Sequence, residues 1–390
     1  MQQVQNSSTR KAILLLAIWV LTAIALLPVF FHWMPPVPVA SHAAHLQLDL
    51  AYLCAVAICF WMYRSELKRL SRGQAQTLVF LVFILTSVTN NVHRNYVDHS
   101  SIFASTSNLA WQIDLQNQVM RLSPAVAPHS YRFLPNAIVR WMELFRMSYE
   151  SARDVYRLIL GILLFYATYR YARLFTSYGG AVLALLLVTV IYPVSFEYSA
   201  GQLTDPLSHL SFVLAFIFLE TGDFALLLTT LLIGSLAKET VLAMAGYYVL
   251  FCRRDRGYAW KATTLCVSVL AFYLAVRAFV LHGSAGYRYE QVSGVAPAHV
   301  WANLGSGRWQ GLLLLTVGSL VPFLVLGWKR TARSLKQQVI FLFPVLFISG
   351  TLFSWLFETR NFMPLVFVLA MAAGNYFSQL FAEGSGGENA

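Results

Sequence analysis

The chain has 390 residues, of which 58% are hydrophobic and 12% are charged, and its formal net charge is +11. So few charged residues cannot cover a water-soluble globule of this length, which excludes a soluble enzyme. The Lys and Arg residues stand in short breaks between apolar runs and form no basic face with interleaved aromatic residues, which excludes a nucleic-acid-binding groove.

Apolar runs long enough to cross a hydrocarbon core recur along the whole chain. The first run is too long for the apolar part of a cleaved signal peptide, so we expect it to be a retained span. The sequence therefore predicts an all-α polytopic membrane protein of about twelve transmembrane helices. The predicted spans are 12–33, 48–63, 77–92, 155–170, 178–195, 206–220, 224–237, 240–252, 262–282, 310–327, 338–357 and 361–380.

Basic residues set the orientation of these spans. The short loops on one side hold most of the Lys and Arg residues, which predicts that this side and both termini are cytoplasmic. We divide the chain into residues 1–76, with two spans and a basic loop, a transmembrane core at 77–380, and a tail at 381–390. The core includes the long outer loop 93–154, and the glycine-rich tail is predicted to be disordered.

The run 224–252 is interrupted only by Lys238 and Glu239. A single long helix here would turn the later basic loops outwards, so the charge pattern favours two short helices that meet at Lys238. The first of them spans about 21 Å, less than the ~30 Å hydrocarbon core. Lys238 and Glu239 are therefore expected below the outer membrane surface, where ionisable groups usually have a function.

The long outer loop contains two stretches with helical apolar spacing, at 109–122 and 134–147. We expect both to be helices that lie in the membrane interface. In the second, Leu134, Ile138, Trp141 and Phe145 form the predicted apolar face, and Arg140, Glu143 and Arg146 form the polar face. The connector between the two helices brings three polar residues to the membrane surface, namely His129, Tyr131 and Arg132.

Two further outer connections carry charges. Thr204 or Asp205 can cap the helix that begins at Pro206. This capping role is a sufficient structural reason for an aspartate at position 205. The last outer turn, Glu358-Thr359-Arg360, is very short.

Four short motifs together resemble the GT-C superfamily of bacterial membrane glycosyltransferases. They are the Leu203-Thr204-Asp205-Pro206 opening of a span, the hairpin end at Leu236-Ala237-Lys238-Glu239-Thr240, Tyr131-Arg132-Phe133-Leu134-Pro135, and Glu358-Thr359-Arg360. The resemblance covers residues 77–380. It implies transfer of a sugar from a polyprenyl-phosphate donor to a glycan, lipid or protein acceptor, on the periplasmic or extracellular face of the inner membrane.

Members of this superfamily use an acidic residue in the first large outer loop as the base or as a metal ligand. Asp98 matches that position here, although it follows the third span and lacks a neighbouring second acid. Asp114 is the second choice for the catalytic acid-base residue. This carboxylate would either take a proton from the attacking hydroxyl or hold a divalent metal such as Mg²⁺ or Mn²⁺.

Sugar transfer from a lipid phosphate develops negative charge on the departing phosphate, which fixed cations stabilise. Arg132, Lys238 and Arg360 are the outer-side cations expected at the depth of that phosphate. We expect Glu239 to orient Lys238 and Glu358 to orient Arg360, while Tyr131, His129 and Asp205 support the site. Each has a structural alternative: a solvated loop acid for Asp98, interfacial anchoring for the arginines, and an ion pair at a helix break for Lys238 and Glu239.

A transporter or a flippase for lipid-linked sugars is the competing class. Such proteins commonly show internal repeats with charges near the midplane, whereas this sequence shows no repeat and gathers its charges on one side. A ligase or polymerase with a lipid-linked donor would share the same outer site. No phosphate-binding glycine loop, nucleophile elbow or zinc-protease helix is present, which argues against a nucleotide-sugar donor and against hydrolases.

Overall fold

The computed structural model describes residues 2–30, 70–93, 108–123, 126, 129–196, 202–281, 296–305 and 307–386, and over these it is all-α. Thirteen of the described helices have seven or more residues. The α-helices in chain order are α1 Gln2–Phe30, α2 Arg72–Val92, α3 Asn108–Met120, α4 Phe133–Leu144, α5 Tyr149–Ala172, α6 Tyr178–Ile191, α7 Thr204–Thr221, α8 Phe224–Ser235, α9 Ala243–Phe251, α10 Tyr258–Leu281, α11 Ala296–Gly305, α12 Arg308–Leu313, α13 Val321–Leu326, α14 Arg333–Phe353 and α15 Met363–Gly386.

Short 3₁₀-helical and π-helical segments lie at the ends of several of these helices. The 3₁₀ segments are His129–Tyr131, Tyr192–Phe196, Glu239–Leu242 and Thr359–Phe362, and a π-helical segment lies at Leu314–Gly318. All four 3₁₀ segments precede or follow helices at the polar end of the molecule described below.

Five described helices are long and apolar enough to cross a membrane, and they indicate an integral membrane protein. These candidate spans are Arg72–Val92, Tyr178–Ser195, Tyr258–Val280, Arg333–Leu352 and Thr359–Leu380. Shorter apolar helices lie at Leu14–Leu27, Phe224–Ser235, Glu239–Phe251 and Trp309–Gly318. The predicted spans 155–170 and 206–220 coincide with α5 and α7, and the predicted span 48–63 lies outside the described residues.

The chain departs from the predicted spans in three places. The predicted span 310–327 is not one continuous α-helix, because the π-helical turn separates α12 from α13. Helix α11 was not predicted at all. Its Asn303 side chain is fully buried, donates to the carbonyls of Gly350, Thr351 and Ser354, and accepts from the Leu356 amide. Helix α15 extends to Gly386, past the predicted start of the tail at residue 381.

Helix α15 lies at the centre of the bundle and α10 at its edge. In α15, 72% of the most apolar stretch is buried inside the protein, against 11% in α10. Helices α6 and α15 approach closely because both have glycine at the crossing. A Cβ atom built on Gly374 would lie 2.4 Å from the Gly180 carbonyl oxygen, and one on Gly180 would lie 2.7 Å from the Gly374 oxygen. Such small-residue crossings are typical of membrane helices.

Helices α8 and α9 form an antiparallel hairpin. The chain breaks at Lys238, whose extended backbone (φ −162°, ψ 121°) separates the two helices. Phe224 at the start of α8 then meets Tyr248 near the end of α9, with ring centroids 6.0 Å apart. The predicted pair of short helices that meet at Lys238 is therefore confirmed.

The two helices predicted at 109–122 and 134–147 are confirmed as α3 and α4, but two of the three residues of the predicted polar face are buried, and only Arg146 is exposed as predicted. Arg140 and Glu143 are buried and form an ion pair of 2.7 Å, while Phe145 is 72% exposed. Arg140 also donates to Asn117 of α3 at 2.7 Å. Arg140 and Glu143 point into the protein because α3 offers amide partners there. Buried charges need such partners, and only the packed structure supplies them.

Candidate functional site

A cluster of buried and half-buried charges lies at one end of the helix bundle. Six residues form it, and we call them the ion-pair cluster: Arg132, Asp205, Lys238, Glu239, Glu358 and Arg360. They come from four separate segments, namely the start of α4, the start of α7, the break between α8 and α9, and the turn before α15. The other end of α7 lies far along the bundle, where Gln338 of α14 contacts both Glu220 and Tyr171.

Asp205 is the centre of the ion-pair cluster. One carboxylate oxygen lies 3.3 Å from the Lys238 Nζ, and the other accepts from the Arg360 Nη1 at 2.8 Å. The side chain is almost fully buried. The predicted capping role of Asp205 is wrong, because α7 begins at Thr204 with Leu203 as its cap residue and without a side-chain capping bond.

Arg132 and Glu239 form the second part of the cluster. The Arg132 Nε and Nη2 donate to the two carboxylate oxygens of Glu239 at 2.9 and 2.6 Å, a bidentate geometry that fixes both side chains. The backbone supports the same pairing, because the Leu134 amide donates to the Leu236 carbonyl at 3.3 Å. Glu239 was expected to orient Lys238, but its hydrogen-bonded partner is Arg132.

The turn before α15 completes the cluster. Glu358 lies 3.1 Å from the Arg360 Nη2, as expected from the sequence, and accepts from Ser354 at 3.1 Å. Asn361 accepts from the Lys238 Nζ at 2.6 Å. The Arg360 carbonyl contacts the His209 Nε2 at 3.0 Å, and the His209 Nδ1 contacts the Tyr192 hydroxyl at 2.9 Å. Sequence reasoning missed Asn361 and His209, which carry no motif that could have revealed them.

The charges of the ion-pair cluster balance. It contains three cations and three carboxylates, and each cation has at least one carboxylate partner. Among the described contacts, the donors that remain for another ligand include the Arg360 Nε, which is buried without a hydrogen-bond partner, and the third N–H of the Lys238 ammonium. An anion that binds here would therefore add to existing pairs and need not break them.

His129 and Tyr131 lie next to the ion-pair cluster. Burial lowers the pKa of His129 to about 3, and the positive charges of Arg132 and Arg360 contribute to the same shift, so the ring is neutral near pH 7. Burial raises the pKa of Tyr131. The Arg277 guanidinium stacks between two tyrosine rings, 4.9 Å from the Tyr131 centroid and 4.7 Å from the Tyr273 centroid.

A small polar pocket adjoins the cluster on the side of α3. His129, Asn136, Gln202 and Thr204 contribute polar atoms to it, and the Thr204 hydroxyl is buried with no hydrogen-bond partner among the described residues. The pocket volume of 10 Å³ suits about one water molecule. This pocket places a solvent-sized space between His129 and the start of α7.

Of the two predicted catalytic acids, the structure describes only Asp114, which is not part of the ion-pair cluster. Asp98 lies outside the described residues. Asp114 is exposed on α3, where it accepts from Gln118 of the same helix at 2.7 Å. In the part of the chain that the structure describes, no three His, Cys, Asp or Glu side chains group closely enough to hold a metal ion.

The fold and the site together define a class: an all-α integral membrane protein with an ion-pair cluster at one end of its helix bundle. Comparison of this chain with known protein families, with curated proteins and with solved structures finds no match. The function is therefore argued from the site alone.

Proposed function

We propose that the protein is a membrane glycosyltransferase of the GT-C type, which moves a sugar from a polyprenyl-phosphate donor to an acceptor at the outer face of the membrane. One observation carries this proposal: four distant segments bring three cations and three carboxylates to one end of an apolar bundle. Charges are costly at membrane depth, so a cluster of this size favours chemistry or binding over a purely structural role.

The chemistry of sugar transfer uses both signs of charge. The departing phosphate gains negative charge, which Lys238 and Arg360 stabilise through their remaining N–H donors. The acceptor hydroxyl loses a proton to a carboxylate, and Asp98 remains the proposed base. Within the cluster, Glu239 is the most exposed carboxylate, with 27% of its side chain accessible. It is therefore the carboxylate of the cluster that an acceptor can reach most easily.

The proposed orientation follows from the charges at the two ends of the bundle. The end opposite the cluster carries Arg173, Arg253, Arg254 and Arg256 near helix termini, as cytoplasmic ends do. The cluster then faces the periplasm or the exterior, with about twelve spans and both termini inside. The GT-C assignment and the lipid-linked donor come from the short sequence motifs, and the cluster contains all three cations of those motifs.

A transfer assay tests the proposed function. Purified protein is incubated with a panel of radiolabelled polyprenyl-phosphate sugars and with membrane-extracted acceptors, and transfer is compared between the wild type, Asp98→Asn and Lys238→Ala. We expect transfer by the wild type and a loss of at least about a hundredfold in each variant. Lys336→Ala, at the opposite end of the bundle, is the matched control and should keep its activity. Uptake of a labelled lipid-linked sugar into vesicles without transfer would instead favour the flippase class.

A further inference from the structure

The turn between α9 and α10 presents three arginines to the outside of the bundle. Arg253, Arg254 and Arg256 occupy three of four consecutive positions, and all three are exposed. In the part of the chain that the structure describes, none of them forms an ion pair. Helix α9 leads away from the ion-pair cluster, so these charges lie at the opposite end of the bundle. We call residues 253–257 the arginine turn.

The one acidic residue of the arginine turn is held away from the arginines. Asp255 is half-buried, and its carboxylate accepts from the Tyr248 hydroxyl of α9 at 3.0 Å. Tyr248 is fixed in its turn, because its ring stacks on that of Tyr258 with centroids 6.2 Å apart. The arginine turn therefore keeps three positive charges that its own acid does not pair.

Backbone contacts fix the conformation of the arginine turn. The Asp255 amide donates to the Cys252 carbonyl at 3.0 Å, and the Tyr258 amide donates to the Asp255 carbonyl at 3.0 Å. Gly257 has a φ of 71°, a left-handed conformation that favours glycine. The Trp260 indole lies over this glycine, since a Cβ at position 257 would lie 2.5 Å from the Trp260 Nε1. The arginines extend from a preorganised backbone, which lowers the entropy cost of binding a ligand.

The arginine turn lies at the depth expected for lipid headgroups. The candidate membrane span of α10 begins at Tyr258, directly after the turn, and runs to Val280. Trp260, in the first turn of that span, is 57% exposed. Tryptophan at the end of a span is typical of the interface between headgroups and acyl chains. Cations just outside such a span therefore face the phosphate groups of the bilayer.

Helix α10 also offers a surface for an acyl chain. Val267, Leu270 and Leu274 are each more than half exposed, and with Trp260 they lie on one face of the helix. Among the five candidate spans, α10 has the smallest buried share of its apolar stretch. A lipid whose headgroup binds at the arginine turn can therefore continue along an apolar helix face.

We propose that the arginine turn binds the headgroup of an anionic phospholipid. The guanidinium groups donate to the phosphate oxygens, because arginine offers paired N–H donors that match a phosphate. One acyl chain lies along the exposed apolar face of α10. A lipid with a net negative headgroup binds more tightly than a zwitterionic one, whose ammonium group offsets the phosphate charge. This site is separate from the ion-pair cluster and does not depend on the chemistry proposed there.

Equilibrium binding of radiolabelled phosphatidylglycerol to the purified full-length protein in detergent tests this site. We expect saturable binding by the wild type. Each of Arg253→Gln, Arg254→Gln and Arg256→Gln should lower the affinity about fivefold, and the triple variant about a hundredfold. Binding should weaken as the salt concentration rises, because the arginines are exposed and salt screens their charges.

A second triple variant is the matched control. Lys329→Gln, Arg330→Gln and Arg333→Gln together remove the same number of charges from the exposed residues before and at the start of α14, and this variant should keep most of the affinity. Asp255→Asn removes the acid of the arginine turn and should raise the affinity by up to about fivefold. The arginine variants should melt at the wild-type temperature, because the substituted side chains are exposed.

Four results would overturn the site. The first is equal affinity in the triple arginine variant and the wild type. The second is an equal loss in the matched control, which would reduce the effect to a general attraction between basic loops and anionic lipids. The third is equal competition by phosphatidylcholine, and the fourth is equal competition by inorganic phosphate, which lacks the lipid. None of these results depends on sugar transfer, so the site and the proposed function stand or fail separately.

Discussion

Asp205 holds two cations in place, and all three side chains are buried inside the helix bundle. Its two oxygens bind Lys238 and Arg360, and each partner has a further contact, Asn361 for Lys238 and Glu358 for Arg360. A buried pair of this kind contributes little net stability compared with apolar residues, but the loss of one partner leaves the other charge uncompensated. A single substitution that removes one partner of the cluster should therefore destabilise the protein strongly.

Asp205→Asn should destabilise the protein by about 3–5 kcal/mol, because it leaves two buried cations with one carboxylate fewer. Thermal unfolding in detergent, followed by circular dichroism, measures the change. The matched control is Asp114→Asn on the exposed side of α3, which should stay within about 0.5 kcal/mol. Equal melting temperatures for Asp205→Asn and the wild type would show that the cluster does not depend on this carboxylate.

The Arg132–Glu239 pair should show strong coupling, because two parallel hydrogen bonds join the side chains. In a double-mutant cycle with Arg132→Gln and Glu239→Gln, we expect a coupling free energy of about 1–3 kcal/mol, with the double variant more stable than the sum of the single changes implies. Chemical denaturation of the four proteins gives this value. Additive losses would contradict the bidentate geometry.

His129 should make stability depend on pH. Its pKa is lowered to about 3 in the folded protein, whereas the unfolded chain has the ordinary value of about 6.5. Below pH 6.5 the unfolded state therefore binds a proton that the folded state does not, and folding loses stability as the pH falls towards 3. Melting temperatures between pH 7 and 4.5 should fall more steeply in the wild type than in His129→Gln. Parallel curves would place the imidazole in contact with solvent.

At the scale of the helix, the apolar pattern predicts where most helices form but not which face each helix buries. Helix α4 shows this: its leucine and aromatic spacing predicted Phe145 inside and Arg140 outside, and the packing reverses both. Burial raises the pKa of Glu143 and lowers that of Arg140, and their ion pair opposes both shifts. An amide of α3 makes this arrangement possible: Asn117, which accepts from Arg140, is 23 residues away in the sequence.

The crossing of α6 and α15 depends on two glycines. Gly374→Ala should destabilise the protein by about 1–3 kcal/mol, because its Cβ would contact the Gly180 carbonyl of the facing backbone, which has no side chain to move. Gly179→Ala is the matched control, since a Cβ there meets nothing within 4 Å. That control should be neutral or slightly stabilising, as alanine favours helix. Equal effects of the two substitutions would contradict the close crossing.

At the scale of the whole molecule, the ion-pair cluster should be at the outer membrane face. On a background with the four cysteines replaced, Asp114→Cys near the cluster should react in intact cells with a membrane-impermeant maleimide. Arg254→Cys at the basic end should react only after the membrane is opened. Both positions are exposed, so accessibility within the protein does not separate them. Labelling in the reverse order would invert the topology.

The sequence determined the membrane character, most helix positions and the break at Lys238, because these depend on local apolar length and on charges that interrupt it. It also singled out Arg132, Asp205, Lys238, Glu239, Glu358 and Arg360 as individual charges. Only the tertiary structure decided their pairing, in which Glu239 joins Arg132 and Asp205 joins Lys238 and Arg360. Ion pairs act over a few ångströms in space, and a sequence does not state which distant segments meet when the helices pack.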